Sequence, residues 1–159
     1  MSLANDAIAV RPLVESDVPA VAALLAAQLR EHEIPVRQER LVTALKGILS
    51  HGEQGIVLVA ARASRHMGVA YVSFARPLEH DGEVAWLEEL YVSPESRELG
   101  VGTRLLREVV ARAEARGCLS VELEVKRGHE RVLSLYGREG FQDLGRKHLA
   151  KPLKGWDWQ

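Results

Sequence analysis

Apolar positions along this chain alternate between two periods, about 3.6 residues and 2 residues, and each switch marks an element boundary. Residues 8–13 alternate weakly and predict a first strand. Glu15-Ser16-Asp17 then offers an N-cap for a helix to about Leu29, with Val18, Val21, Ala22, Leu25 and Leu29 on its inner face. Pro35 breaks that pattern, and Leu41, Val42, Leu45, Ile48 and Leu49 predict a second helix over residues 38–49, closed by Gly52 and Gly55. Residues 56–61 and 67–74 are continuous β-branched and aliphatic runs separated by residues 62–66, the pattern of a hairpin of central strands. Asp81-Gly82, in the acidic loop 79–83, turns the chain back into a strand over residues 84–92. Leu105, Leu106, Val109, Val110 and Ala113 predict a helix over residues 103–116 with Gly117 as its stop. Residues 119–125 alternate strictly, with Val121, Leu123 and Val125 on one face and Ser120, Glu122 and Glu124 on the other. Gly128-His129 opens a short helix to about Glu139. Residues 141–149 predict a strand and residues 151–158 a last one. The order strand, two helices, three strands, helix, strand, helix, strand is that of an α/β layer with a mixed sheet.

The most informative stretch is residues 90–103, where Leu90, Tyr91 and Val92 end a strand, Pro94 stops the ladder, and Gly100 and Gly102 precede a helix. A helix start carries unpaired N–H groups and the positive end of the dipole, and glycine lets phosphate oxygens come close. Two familiar phosphate loops do not fit. A dinucleotide fingerprint needs a third small residue where Leu105 stands, and a P-loop needs Lys-Ser/Thr where Thr103-Arg104 stand. Arg97-x-x-Gly100-x-Gly102 instead resembles the acetyl-CoA signature of the GNAT superfamily of N-acetyltransferases. Leu90-Tyr91-Val92-x-Pro94 upstream, and Leu135-Tyr136-Gly137-Arg138-Glu139-Gly140-Phe141 downstream, resemble its flanking motifs.

The resemblance implies a GNAT-like α/β fold: a mixed, mostly antiparallel central sheet with helices on both faces. It implies one acetyltransferase domain over residues 6–159, with residues 1–5 a flexible or cloning-derived leader. The activity implied is direct transfer from acetyl-CoA, in a ternary complex, to a primary amine of a small molecule or peptide, without a metal. A catalytically silent acyl-CoA-binding module and a lysine or N-terminal protein acetyltransferase are the alternatives. Arg97 and the amides of Glu98, Leu99, Gly100, Val101, Gly102 and Thr103 would hold the pyrophosphate. The backbone of Leu90, Tyr91 and Val92 would meet the pantetheine arm where, in the family, that strand parts from its neighbour. The chain departs from the family pattern twice. Glu98 stands where glycine is common and is expected to point away, and His129 stands where an asparagine often contacts the cofactor, making that contact pH-sensitive.

Acyl transfer to an amine needs a neutral nucleophile, a stabilised oxyanion and a proton for the departing thiolate. With a lysine-like pKa of about 10.4, roughly one amine in a thousand is neutral near pH 7, so a base or water relay helps. Glu88 and Glu89 are adjacent on a strand and so are expected on opposite faces, at most one reaching the cleft. Residues 86–92 resemble the corresponding strand of spermidine/spermine-type acetyltransferases, which carries the base role to Glu88, with Glu89 the alternative. Tyr136 is the expected proton donor to the departing thiolate, as the resemblance implies, because an ordinary pKa of about 10 keeps its phenol protonated at neutral pH.

Composition narrows the rest. With 47% hydrophobic residues in 159, the chain can fill one core. Its 21 basic and 22 acidic residues leave a net charge of −1, so no overall field recruits nucleic acid or an anionic membrane. No secretory leader or bilayer-length apolar run is present, and a cytoplasmic location is expected. The single cysteine, Cys118, reads as a packed thiol, and the six histidines lack ligand spacing. Substrate choice is expected to lie with the first two helices and the flanking loops. There Glu31, Glu33 and Glu39 stand among Arg30, Arg37 and Arg40, and the acidic loop 79–83 would suit a cationic amine or be a solvated turn. Trp156 and Trp158 would border the acceptor, form a dimer contact or pack a last strand; dimerisation itself is an expectation from the resemblance.

Overall fold

The hairpin of β2 (Gly55–Arg62) and β3 (Arg65–Ala75) forms the middle of a five-stranded sheet. β1 (Ala9–Pro12) pairs with β2, and β4 (Val84–Val92) with β3, all antiparallel, while β5 (Val121–Leu123) joins β4 in parallel. The computed structural model describes residues 7–126 and 128–154, in two compact units, Met1–Glu124 and Val125–Gln159.

In the first unit, α1 (Val18–Glu31) and α2 (Gln38–Ser50) cover one face of the sheet. Val18, Val21, Ala22 and Leu25 of α1, and Leu45 of α2, share one buried cluster with Val57, Val59, Val69 and Tyr91. The alternate strand residues point the other way, toward α3 (Val101–Arg116), whose Leu105 and Leu106 are fully buried. Each such leucine contributes about 1.5–3 kcal/mol of transfer free energy. The β3–α3 contact is so close that a Cβ on Gly68 would lie 3.1 Å from Leu105 Cδ1, 3.2 Å from Val101 Cγ1 and 2.8 Å from the Tyr91 carbonyl oxygen. Helices on both faces of a mostly antiparallel sheet are the expected architecture. No helix of the described residues is long and apolar enough to cross a membrane.

Four expectations change. Helix α3 begins at Val101 rather than 103, because Gly100 takes φ 75° as its N-cap. Strand β5 is only Val121–Leu123. Among the described residues it has β4 as its one neighbour, and all three of its residues are half-buried, so the strict alternation around it does not sort into a buried and a wet face. In the second unit, α4 (Leu133–Arg138) follows a 3-10 turn at Glu130–Val132 and stops at Gly140, which has φ 88°. The strand expected over residues 141–149 does not form. Asp143 Oδ1 accepts the Gly145 N–H at 2.7 Å, Gly145 takes φ 63°, and this Asx turn breaks the extended run. Residues 151–154 are not extended into a strand either. Trp156, Trp158 and residues 1–5 lie outside the described residues.

Candidate functional site

The loop leaving β4 is fixed by serines. Ser93 Oγ donates to Ser96 Oγ at 2.9 Å with both residues buried, and the Ser96 N–H returns to the Ser93 carbonyl at 2.9 Å. The Pro94–Ser96 3-10 turn thereby presents Arg97 at a set angle. Arg97 Nη2 donates to both carboxylate oxygens of Glu31 at 2.9 Å, and its Nε donates to the Val92 carbonyl at 3.2 Å. Its guanidinium lies 5.8 Å from the centroid of the Tyr91 ring, and the Tyr91 hydroxyl donates to Glu31 Oε1 at 2.7 Å. Burial, and then the hydrogen bond to Glu31, pushes the Tyr91 phenol up to about 12. Burial alone would raise Glu31, but the bonds from Tyr91 and Arg97 outweigh it and hold the carboxyl below its ordinary value. Glu31, read in the sequence as part of a charged helix end, is thus the partner of the expected phosphate ligand. It faces an open groove of about 740 Å³ that Tyr91, Ser93 and Glu95 also line.

Beyond Arg97, Glu98 takes φ 66° and Gly100 φ 75°. A left-handed conformation costs a non-glycine residue about 1–2 kcal/mol, so Glu98 bears strain where glycine would not. Its side chain is exposed, as is Leu99. No side chain caps α3; the helical ladder opens with the Arg104 N–H donating to the Gly100 carbonyl at 3.1 Å. The N–H groups of Val101, Gly102 and Thr103 therefore precede the first ladder bond, at the positive end of a helix running from Val101 to Arg116. A Cβ on Gly100 would meet nothing within 4 Å, so the space beside this turn is open. That is the room and donor set a phosphate group requires.

Strand β4 carries the other half of the site, and it corrects an expectation. The register passes from Tyr71 opposite Glu89 directly to Val72 opposite Leu87, so Glu88 is the extra residue of a bulge. Alternation would place Glu88 and Glu89 on opposite faces; the bulge resets it and turns both toward the face that α1 covers. Ser73 Oγ donates to Glu88 Oε1 at 2.6 Å, and Gln28 Nε2 on α1 donates to Glu89 Oε2 at 2.8 Å. Tyr71 stands opposite Glu89, its phenol raised by burial and then by Glu88. Glu88 is exposed and Glu89 half-buried.

The bulge also sits where β5 ends. Ladder pairs link β5 only to Ala85, Trp86 and Leu87. The Ser93 N–H bonds the Met67 carbonyl on β3 at 3.0 Å, so by alternation the backbone groups of Leu90 and Val92 face away from β3, beyond the last β5 pair.

In the second unit, Tyr136 lies on α4, half-buried, its ring edge-on to Phe141 at 5.6 Å and 61°, and burial raises its phenol above the ordinary value. His129 is half-buried ahead of the 3-10 turn, its N–H on the Lys126 carbonyl at 3.2 Å. The acidic loop is engaged elsewhere: Arg116 binds Glu83 and holds it below the ordinary carboxylate range, while His80 stands 3.5 Å from both Glu79 and Glu122. Cys118 is half-buried, its thiol raised by burial and then by Glu83, which leaves it a poor nucleophile at neutral pH. No group of three or more His, Cys, Asp or Glu among the described residues could hold a metal ion.

The model of the acetyltransferase (GNAT) family matches residues 21–141. The thialysine N-epsilon-acetyltransferase of Bos taurus is 34% identical over 77 residues, 48% of this chain and 44% of that protein, so the match spans less than half of the curated relative. Among solved structures, an integron cassette protein from the mobile metagenome of Cole Harbour Salt Marsh superposes with TM-score 0.82 at 22% identity, over 91% of this chain and 90% of that one. A predicted acetyltransferase of Clostridium acetobutylicum, crystallised with acetyl-CoA, superposes with TM-score 0.75 at 19% identity, covering 91% and 96% of the two chains. At these identities the likeness is one of fold.

Proposed function

Because this chain belongs to the GNAT family of acetyltransferases, we propose that it transfers the acetyl group of acetyl-CoA directly to a primary amine of a small molecule or peptide, in a ternary complex. The observation that carries the reading is the uncapped start of α3 with open space at Gly100, set beside a β4 edge that β5 leaves unpaired. The amides from Glu98 to Thr103 hold the pyrophosphate, and Arg97 exchanges the Glu31 carboxylate for a phosphate oxygen. The Leu90 and Val92 backbone groups accept and donate to the pantetheine amides. A backbone N–H aimed at the thioester oxygen stabilises the oxyanion, a contribution commonly of about 3 kcal/mol.

Glu88 takes a proton from the bound ammonium through water, and the neutral amine so formed attacks the thioester carbon. The exposure of Glu88 suits that relay, and Ser73 orients its carboxylate. Tyr136 returns a proton to the departing thiolate. Its raised phenol is protonated at neutral pH and so holds the proton that the departing thiolate needs. His129 is assigned a hydrogen bond to the cofactor.

Steady-state thiol release, measured over a panel of primary amines with wild type, Glu88→Gln and Tyr136→Phe, tests the assignment. Each substitution is expected to lower turnover by about 10²–10⁴-fold, the usual worth of a positioned acid or base, with acetyl-CoA affinity little changed. Tight acetyl-CoA binding without turnover of any amine would make the chain a binding module instead.

A further inference from the structure

Gln28 breaks a rule that nearly every other buried polar group here obeys. Only 8% of it is exposed, in the last turn of α1, beside residues of the apolar cluster. Its Nε2 donates to Glu89 Oε2 at 2.8 Å. A carboxylate only accepts, so the amide must turn its nitrogen to Glu89 and its oxygen away. That oxygen is buried and accepts no hydrogen bond from any described residue. A leucine or methionine at position 28 would fill the space with no orphaned atom, and orphaned buried acceptors destabilise. A packing role therefore does not account for the residue, and what the amide does achieve is to fix one carboxylate.

We propose that Gln28 is a positioning residue for the acceptor amine, holding the Glu89 carboxylate beside Glu88 on one face of the β4 bulge so that the pair receives a protonated primary amine. The inference rests on the acetyl-transfer reading and extends it to the acceptor's charge. Glu88 and Glu89 converge on the Tyr71–Ser73 segment of β3, and Glu89 is anchored from α1 by Gln28. An ammonium brings three donors to this place, enough to hydrogen-bond both carboxylates at once. The selected substrates are cationic amines, and neutral amines such as anilines are the disfavoured class. Loosening Glu89 should weaken amine capture while leaving the α3 phosphate turn untouched.

The test compares wild type with Gln28→Met, Glu89→Gln and the double variant in three readouts: melting temperature, acetyl-CoA affinity by calorimetry, and KM and kcat for a cationic and a neutral amine. Gln28→Met is expected to melt at or above the wild-type temperature, to keep acetyl-CoA affinity within twofold, and to raise KM for the cationic amine about tenfold. Glu89→Gln raises that KM similarly, and the double variant is no worse than the poorer single one, because both substitutions remove one arrangement. A lower melting temperature for Gln28→Met with unchanged KM would make the residue structural and overturn the proposal. Independent, multiplying effects on KM would overturn it as well. Wild type that turns over no amine at all would instead sink the acetyl-transfer reading itself, and this proposal with it.

Discussion

Arg97 donates to both carboxylate oxygens of Glu31 at 2.9 Å, across 66 positions of sequence, and so joins the loop after β4 to the last turn of α1. The same guanidinium is the group assigned to a phosphate oxygen. Glu31 and the cofactor therefore compete for one cation, and the competition has a sign. Glu31→Gln should tighten acetyl-CoA binding severalfold, whereas Arg97→Ala should weaken it about tenfold or more, the loss of charge-assisted hydrogen bonds. Calorimetric titration at low and high salt checks both; equal affinities for wild type and Glu31→Gln would separate the ion pair from cofactor binding.

Gly100 offers a second, sharper discrimination. Its φ of 75° is unfavourable for alanine, yet a Cβ there would touch nothing within 4 Å. Gly100→Ala should thus lose about 1–2 kcal/mol of stability from the backbone alone. Acetyl-CoA affinity should fall further than that strain explains, because the new methyl group would enter the open space proposed for the phosphate. Chemical denaturation beside calorimetry separates the two effects.

Gly68 lies where three contacts converge, and Gly68→Ala tests how β3, β4 and α3 are locked together. Its Cβ would approach the Tyr91 carbonyl to 2.8 Å, closer than a methyl group tolerates. We expect a loss of about 1–3 kcal/mol, the usual overpacking range, with a lower melting temperature. A variant of wild-type stability would mean that β4 shifts freely against β3.

Much of this fold is legible in the chain. β4 runs over the residues its Trp, Leu, Tyr and Val content indicates, and Pro94 ends it; α2 and the β2–β3 hairpin follow their apolar periods closely. The start of α3 is two residues early because a left-handed Gly100 cap leaves no mark on hydrophobic periodicity. The bulge at Glu88 is invisible for a similar reason: it arises from how β4 meets Tyr71 and Val72, a property of the pair rather than of either strand. Gln28 and Glu31 look like ordinary helix residues until α1 is laid on the sheet, since their partners are 61 and 66 positions away. The turn before α3 is legible because it is local and marked by Gly100, which takes φ 75°.

Asp17 governs the acid limit of stability. Hydrogen bonds from Arg11 at 2.6 and 2.9 Å, then from His66 at 2.8 Å and the Val14 N–H at 3.0 Å, overcome its burial and hold its carboxyl far below the ordinary range. A carboxyl depressed by folding contributes fully above its unfolded pKa of about 3.9 and loses that contribution as pH falls toward the folded value. Asp17→Asn should cost at least about 2 kcal/mol at pH 7, and its deficit should narrow by about 1 kcal/mol by pH 3. Denaturation curves at both pH values check this, and a deficit independent of pH would contradict it.

The central claim is that the turn from Arg97 to Thr103 is a binding site for the pyrophosphate of acetyl-CoA. Calorimetric titration of the wild-type protein with acetyl-CoA, with NAD as a second pyrophosphate-bearing ligand and a thermal melt in parallel, tests it most directly. The account predicts saturable one-to-one binding of acetyl-CoA, none of NAD, and stabilisation by about 2.7 kcal/mol at a hundredfold excess over the dissociation constant. A folded sample that binds neither ligand, or both equally, would contradict it.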